Sequence, residues 1–172
     1  MNRTPAASFS ELAPRALHFA RSGSAAGSNA NEGGSGENAG PLREWHLLHG
    51  DTRAAARARH DFVQYLRPLV DARSDVAGAE VIFGELVANA IEHGLGAVVA
   101  FLFTADHELS LIVIDEGCGA SWPPPASPPP AESLRGRGLY FVSRLARDVR
   151  RSSRLGQPAL EVVLPVELQT LL

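Results

Sequence analysis

Apolar and polar positions change their period several times along the 172 residues, and each change marks an element. From Glu44 to His49 the two kinds of side chain alternate weakly, as they do in an edge strand with one buried face. Asp51 then offers an N-cap for a helix reaching to about Ala72, which Pro68 is expected to kink or end. Asp75 caps a second helix predicted to run to about His93, where Gly94 and Gly96 supply the stop. Two β-rich runs, Ala97 to Thr104 and Glu108 to Asp115, read as a hairpin closed by Ala105-Asp106-His107. Helical spacing returns in Leu139, Val142 and Leu145, within Gly138 to Asp148, and a last hairpin is predicted from Val149 through Gly156 to Val166. Helices on one face of a mixed, mostly antiparallel sheet make an α+β fold of the two-layer sandwich type.

Two stretches fall outside this pattern. Residues 1–40 are poor in large apolar groups after Phe19, and Ser22 to Gly40 cannot bury enough surface to offset its ordering entropy, so a flexible leader is expected. A short helix over Glu11 to Arg21 is compatible with the sequence. Residues 120–135 contain six prolines, at 123–125 and 128–130, and read as a non-regular loop of polyproline character, either a stiff spacer or a docking segment. The globular unit is placed at residues 41–168.

Composition narrows the function classes. Net charge is −3, and the 16 basic residues, all arginine, are spread along the chain, which argues against nucleic acid as the main partner. The five arginines between Arg144 and Arg154 read as a solvated helix face running into a turn. The lone Cys118 has no internal disulfide partner and no CxxC pair exists, which points to a reduced, cytoplasmic setting. No apolar run approaches the roughly 18 residues of a membrane span, and no signal-peptide core is visible, so no membrane role is expected.

Three short pieces carry candidate chemistry. On the second helix Glu85, Asn89, Glu92 and His93 share one arc while Phe83, Leu86, Val87 and Ala90 lie opposite. This is either an ordinary amphipathic surface helix or a polar face with work to do. Asp115-Glu116-Gly117-Cys118-Gly119 stands where an apolar strand ends. Two glycines there admit a flat ligand, and the aspartate is able to accept from an exocyclic amine. Arg135-Gly136-Arg137-Gly138-Leu139 is a glycine-rich turn directly before a helix, an arrangement in which backbone N–H groups and the helix dipole favour phosphate. It is not a P-loop, which needs a lysine that this chain lacks, and no GxGxxG follows a strand.

In their order and spacing, Glu85-Leu-Val-Ala-Asn89-Ala-Ile-Glu-His93, then Asp115-Glu-Gly-Cys-Gly119, then a loop, then Gly136-Arg-Gly138-Leu, the pieces resemble the N box, first glycine box, lid and second glycine box of the gyrase and histidine-kinase (GHKL) ATPases. The resemblance covers about Leu42 to Val166. Within that superfamily Gly136 to Val149 is similar to the anti-sigma-factor serine kinases. The resemblance implies that Asp115 holds the adenine amine, with Gly117 and Gly119 opening room for the base. It implies that Asn89 coordinates Mg²⁺ on the phosphates of ATP, that Glu85 is the general base, and that His93 lines the phosphate end. Arg135, Gly136, Arg137, Gly138 and Leu139 fall to the β- and γ-phosphates, and the proline-rich loop becomes the ATP lid. A sigma factor, a STAS-domain antagonist as phosphoacceptor, and a homodimer are the partners it implies. Ala120 and the proline content of the lid depart from the family pattern.

Rival readings stay open at this level. His60-Asp61-Phe62 with Pro68 behind it resembles a sensor-kinase phosphoacceptor segment, yet too few residues separate His60 from Asn89 for a second dimerisation helix, so His60 is read as a surface residue. His46 and His49 form an HxxH whose members point to opposite faces of a strand, a poor metal site. A nucleotide-binding regulator that transfers nothing, and an ATPase component of a split two-component system, are the alternatives to a kinase.

Overall fold

Two aspartates set the positions of the long helices. In the computed structural model, which describes residues 41–105, 107–115, 124, 127, 137–154 and 157–169, the Asp51 carboxylate accepts from the Ala54 N–H at 2.8 Å and Asp75 from the Gly78 N–H at 2.8 Å. Each satisfies a donor that the first helical turn would leave orphaned. Strand β1 spans Arg43–Leu48, helix α1 Thr52–Leu66 and helix α2 Val76–His93. Pro68 sits in a 3₁₀ turn, Arg67–Leu69, that terminates α1 ahead of Ala72. Strands β2 (Ala97–Ala105) and β3 (Glu108–Asp115) form the predicted hairpin, with His107 at φ 66° in its turn. Helix α3 is Gly138–Leu145, and β4 (Asp148–Arg154) and β5 (Gln157–Val163) make the last hairpin.

The five strands form one sheet in the order β1-β2-β3-β5-β4, with every described pairing antiparallel. On one face Trp45, Leu47, Val98, Ala100, Leu102, Leu109, Leu111, Leu160 and Val162 meet the apolar sides of the three helices. Trp45, Phe62 and Phe83 lock β1, α1 and α2 together: Phe62 stacks on Phe83 at 4.5 Å, and Trp45 meets both edge-on. Fully burying such a side chain contributes about 1.5–3 kcal/mol. A second cluster, Phe103, Ile112, Ile114 and Ala159 with Phe101, occupies the opposite face.

The arginine-rich stretch differs from its expected form. Helix α3 stops at Leu145, with Ala146 extended at ψ 147°, instead of reaching Asp148. Arg150, Arg151 and Arg154 then lie on β4, at the edge of the sheet. Pairing with β5 outcompetes the helix here, and charge on an edge strand discourages further strand addition. The leader at residues 1–40 and, apart from Pro124 and Ser127, the loop at 120–135 lie outside the described residues. No described helix is long and apolar enough to cross a membrane.

Candidate functional site

Helix α2 packs between α1 and α3 and over the sheet, so one side of it is committed to the core through Ile82, Phe83, Leu86, Val87, Ala90 and Ile91. Glu85 and Asn89, one turn apart, are half-buried on the other side, and neither side chain is hydrogen-bonded to another described residue. Half-buried acidic and amide groups with no partner among the described residues are placed to meet something else.

Helix α3 approaches that polar side at its first residue. A β-carbon at Gly138 would collide with Oε2 of Glu85, and would stand 3.5 Å from the Glu85 β-carbon. A side chain at position 138 would push the Glu85 carboxylate aside, so glycine keeps the N-terminus of α3 directly against it. Among the described residues no side chain caps the first turn of α3, where Arg137, half-buried, is the N-cap residue. Its leading N–H groups and the helix dipole therefore offer an anion subsite beside Glu85.

The other end of α2 meets the end of β3. A β-carbon at Gly94 would run into the Ala90 carbonyl oxygen and would lie 2.9 Å from Cβ and 3.1 Å from Cγ of Asp115. Gly94 thus ends the helix and admits Asp115, half-buried, to its terminus. From Glu85 to Gly94 the helix rises about 13.5 Å. That spacing, between an anion subsite and a carboxylate acceptor, is on the scale of an extended nucleoside triphosphate.

His93 is the last residue of α2, directly before Gly94 and so at the Asp115 end of the helix. It is exposed, two turns beyond Glu85, and lines a cleft of about 550 Å³ with His49, Gly50, Thr52, Ile91 and Glu92. Gly50, at φ 77°, turns the chain so that its N–H donates to the Ile91 carbonyl at 3.1 Å, while the His49 N–H donates to that of Gly96 at 2.8 Å. His49, Gly50 and Thr52 were not singled out as site residues, although the Gly50-Asp51 turn was the signal that places them against the end of α2. Leu139 is half-buried and packs against the main core. Gly117, Gly119, Arg135 and Gly136 lie outside the described residues. His60 is exposed, and His46 pairs with Glu44 at 3.2 Å.

Electrostatic support for the frame comes from Asp61. Its carboxylate accepts from the Trp45 indole N–H at 2.8 Å and from Arg43 at 2.9 Å, tying α1 to β1. The Trp45 hydrogen bond above all, opposed by partial desolvation and aided by Arg43, holds the Asp61 carboxyl below its ordinary value.

Among the described residues no group of three or more His, Cys, Asp or Glu side chains gathers as a metal cage. The Asn89 amide oxygen, one turn along α2 from Glu85, is a donor of the kind magnesium accepts, since that ion takes few protein ligands and completes its shell with phosphate oxygens and water. Residues 48–164 match the family model described as the histidine kinase-like ATPase domain. No curated protein matches the chain.

Proposed function

The chain belongs to the histidine kinase-like ATPase domain family, and from that premise we propose that it is a Mg-ATP-dependent serine kinase of the anti-sigma-factor type, which holds a sigma factor and phosphorylates a STAS-domain antagonist. The observation that carries the nucleotide part is the double contact of α2: Glu85 against Gly138 at one point and Gly94 against Asp115 about 13.5 Å along the same helix. Three sequence segments far apart in the chain meet on one rigid element, and each is of the chemical kind its subsite needs.

In this reading Asp115 accepts from the adenine amine, and the N–H groups at the start of α3, with Arg135 and Arg137, receive the β- and γ-phosphates. Gly117, Gly119 and Gly136 leave room for the backbone to approach the ligand, Leu139 anchors the phosphate-binding turn to the core, and His93 extends the site toward its cleft. Asn89 would hold magnesium, which when bound supplies positive charge to the phosphate oxygens. Glu85 takes the proton of the acceptor serine hydroxyl as its oxygen bonds to the γ-phosphorus, and ADP departs with the electrons of the broken P–O bond, leaving phosphoserine. Little covalent chemistry is asked of the protein beyond position and charge, so a sparse set of side chains suffices.

Binding and transfer measured side by side on Glu85→Ala test this. Retained nucleotide binding with lost transfer to a STAS-domain protein supports the kinase. A parent protein that binds ATP yet transfers no phosphate to any hydroxyl acceptor would leave a nucleotide-holding regulator instead.

A further inference from the structure

Helix α1 carries a ridge of positive charge on its outer side. Arg53, Arg57, His60, Gln64 and Arg67 recur at steps of four and three residues, and all five are exposed. On a helical wheel they fall within an arc of roughly 80°, opposite the buried Ala58, Phe62 and Leu66. The backbone of Arg67 is still helical, so the ridge runs for about 21 Å. Residues 52–69 hold four arginines against one aspartate, a local charge of +3 in a chain whose net charge is −3.

These charges do nothing for the fold. Arg43, Arg59, Arg147 and Arg150 each meet a carboxylate. The guanidinium groups of Arg53, Arg57 and Arg67 bond to no other described residue. Their placement even opposes the helix that carries them. Arg53 stands in a first turn without acidic residues, where the helix dipole repels a cation, and Arg57 adds a like charge one turn on. A local rule broken without gain inside the molecule points to a use outside it.

We propose that the ridge docks an acidic amphipathic helix of a partner protein, laid along α1 with carboxylates at the same steps of four and three residues. A straight row of cations over four turns matches such a row in both spacing and sign. Beside it Val81 of α2 is 40% exposed, next in sequence to Glu80, which Arg59 of α1 holds at 3.3 Å. That gives a seat to an apolar side chain flanking the carboxylates. The charges set register and speed of encounter, and the apolar contact adds grip. Nucleic acid fits less well, because the chain is net negative and no exposed aromatic side chain stands on α1 to stack on a base. No ridge residue belongs to the nucleotide site, so docking and ATP binding fail separately.

A phage-displayed library of helical peptides, randomised along one face, selected against the full chain and followed by anisotropy titration of the most enriched peptide, tests this. Enrichment of Glu or Asp at i, i+4, i+7 and i+11 is expected. That peptide should bind Arg57→Glu with Arg67→Glu at least tenfold more weakly, and a version with Lys in place of its acids should prefer that variant to the parent. Arg57→Ala with Arg67→Ala, which favours the helix, should lose severalfold in affinity without a lower melting temperature. Absence of acidic enrichment, equal binding to parent and variants, or equal binding of a scrambled peptide of the same composition would overturn the proposal. So would an oligonucleotide or a phosphatidylglycerol vesicle that binds the parent as tightly and depends on the same arginines.

Discussion

On its buried side α2 sends Phe83 into contact with Trp45 and Phe62, while on its other side Glu85 and Asn89, two and six residues on, are half-buried and bonded to no other described residue. The same eighteen-residue helix therefore carries the fold on one flank and the candidate site on the other. Substitutions on the first flank should act on stability, and those on the second on ligand and catalysis. Asn is a mediocre helix former, so Asn89 in mid-helix carries a small stability cost, which the proposed role in binding Mg-ATP would explain.

The largest effect expected is on the core flank. Phe83→Ala removes a ring packed against two others and should cost about 3–5 kcal/mol, read as a lowered midpoint in denaturant with an unchanged slope. A loss under about 1 kcal/mol would mean that α2 is not the centre of the packing. Next comes Asp115→Asn, which replaces a charged acceptor by an amide that offers its own donors. Losing a charge-assisted hydrogen bond of about 1.5–3 kcal/mol weakens ATP binding roughly ten- to a hundredfold, with little change in melting temperature.

Asp61→Ala tests the frame beneath both flanks. It leaves the Trp45 indole N–H without its acceptor and should destabilise by about 1 kcal/mol without touching nucleotide affinity. Because the folded carboxyl titrates below its ordinary value, its contribution is complete above about pH 4 and is lost as the pH falls through the lower folded value. Acid unfolding of Asp61→Asn should accordingly be shallower than that of the parent in that window. The smallest effect is the most diagnostic. Asn89→Ala should raise stability by up to about 0.7 kcal/mol through helix propensity while weakening Mg-ATP binding, opposite signs that only a functional residue produces.

Elements were legible wherever local chemistry decides. Asp51 and Asp75 cap as expected, Pro68 ends α1, and Gly94 ends α2, because each acts within a turn of its own position. What the sequence hid depends on partners far away. The Trp45, Phe62 and Phe83 cluster joins residues 17 and 21 positions apart, and the Asp61 anchor joins α1 to β1. Helix α3 ended at Leu145, the last of its helically spaced residues, because strand pairing of Asp148 with Val163 claimed the chain that follows. For the site, Glu85, Asp115 and Gly138 were each readable as ambiguous polar or glycine positions. Their convergence on α2 follows from the packing of α3 and the β3 terminus against that helix.

Calorimetric titration of Mg-ATP into the full chain, in parallel with Asp115→Asn and Asn89→Ala, tests the central claim most directly. The account predicts saturable binding to the parent, loss of most affinity in Asp115→Asn, and weak or magnesium-independent binding in Asn89→Ala, with all three proteins folded. Absence of binding to the folded parent, or equal affinity in all three, would contradict it.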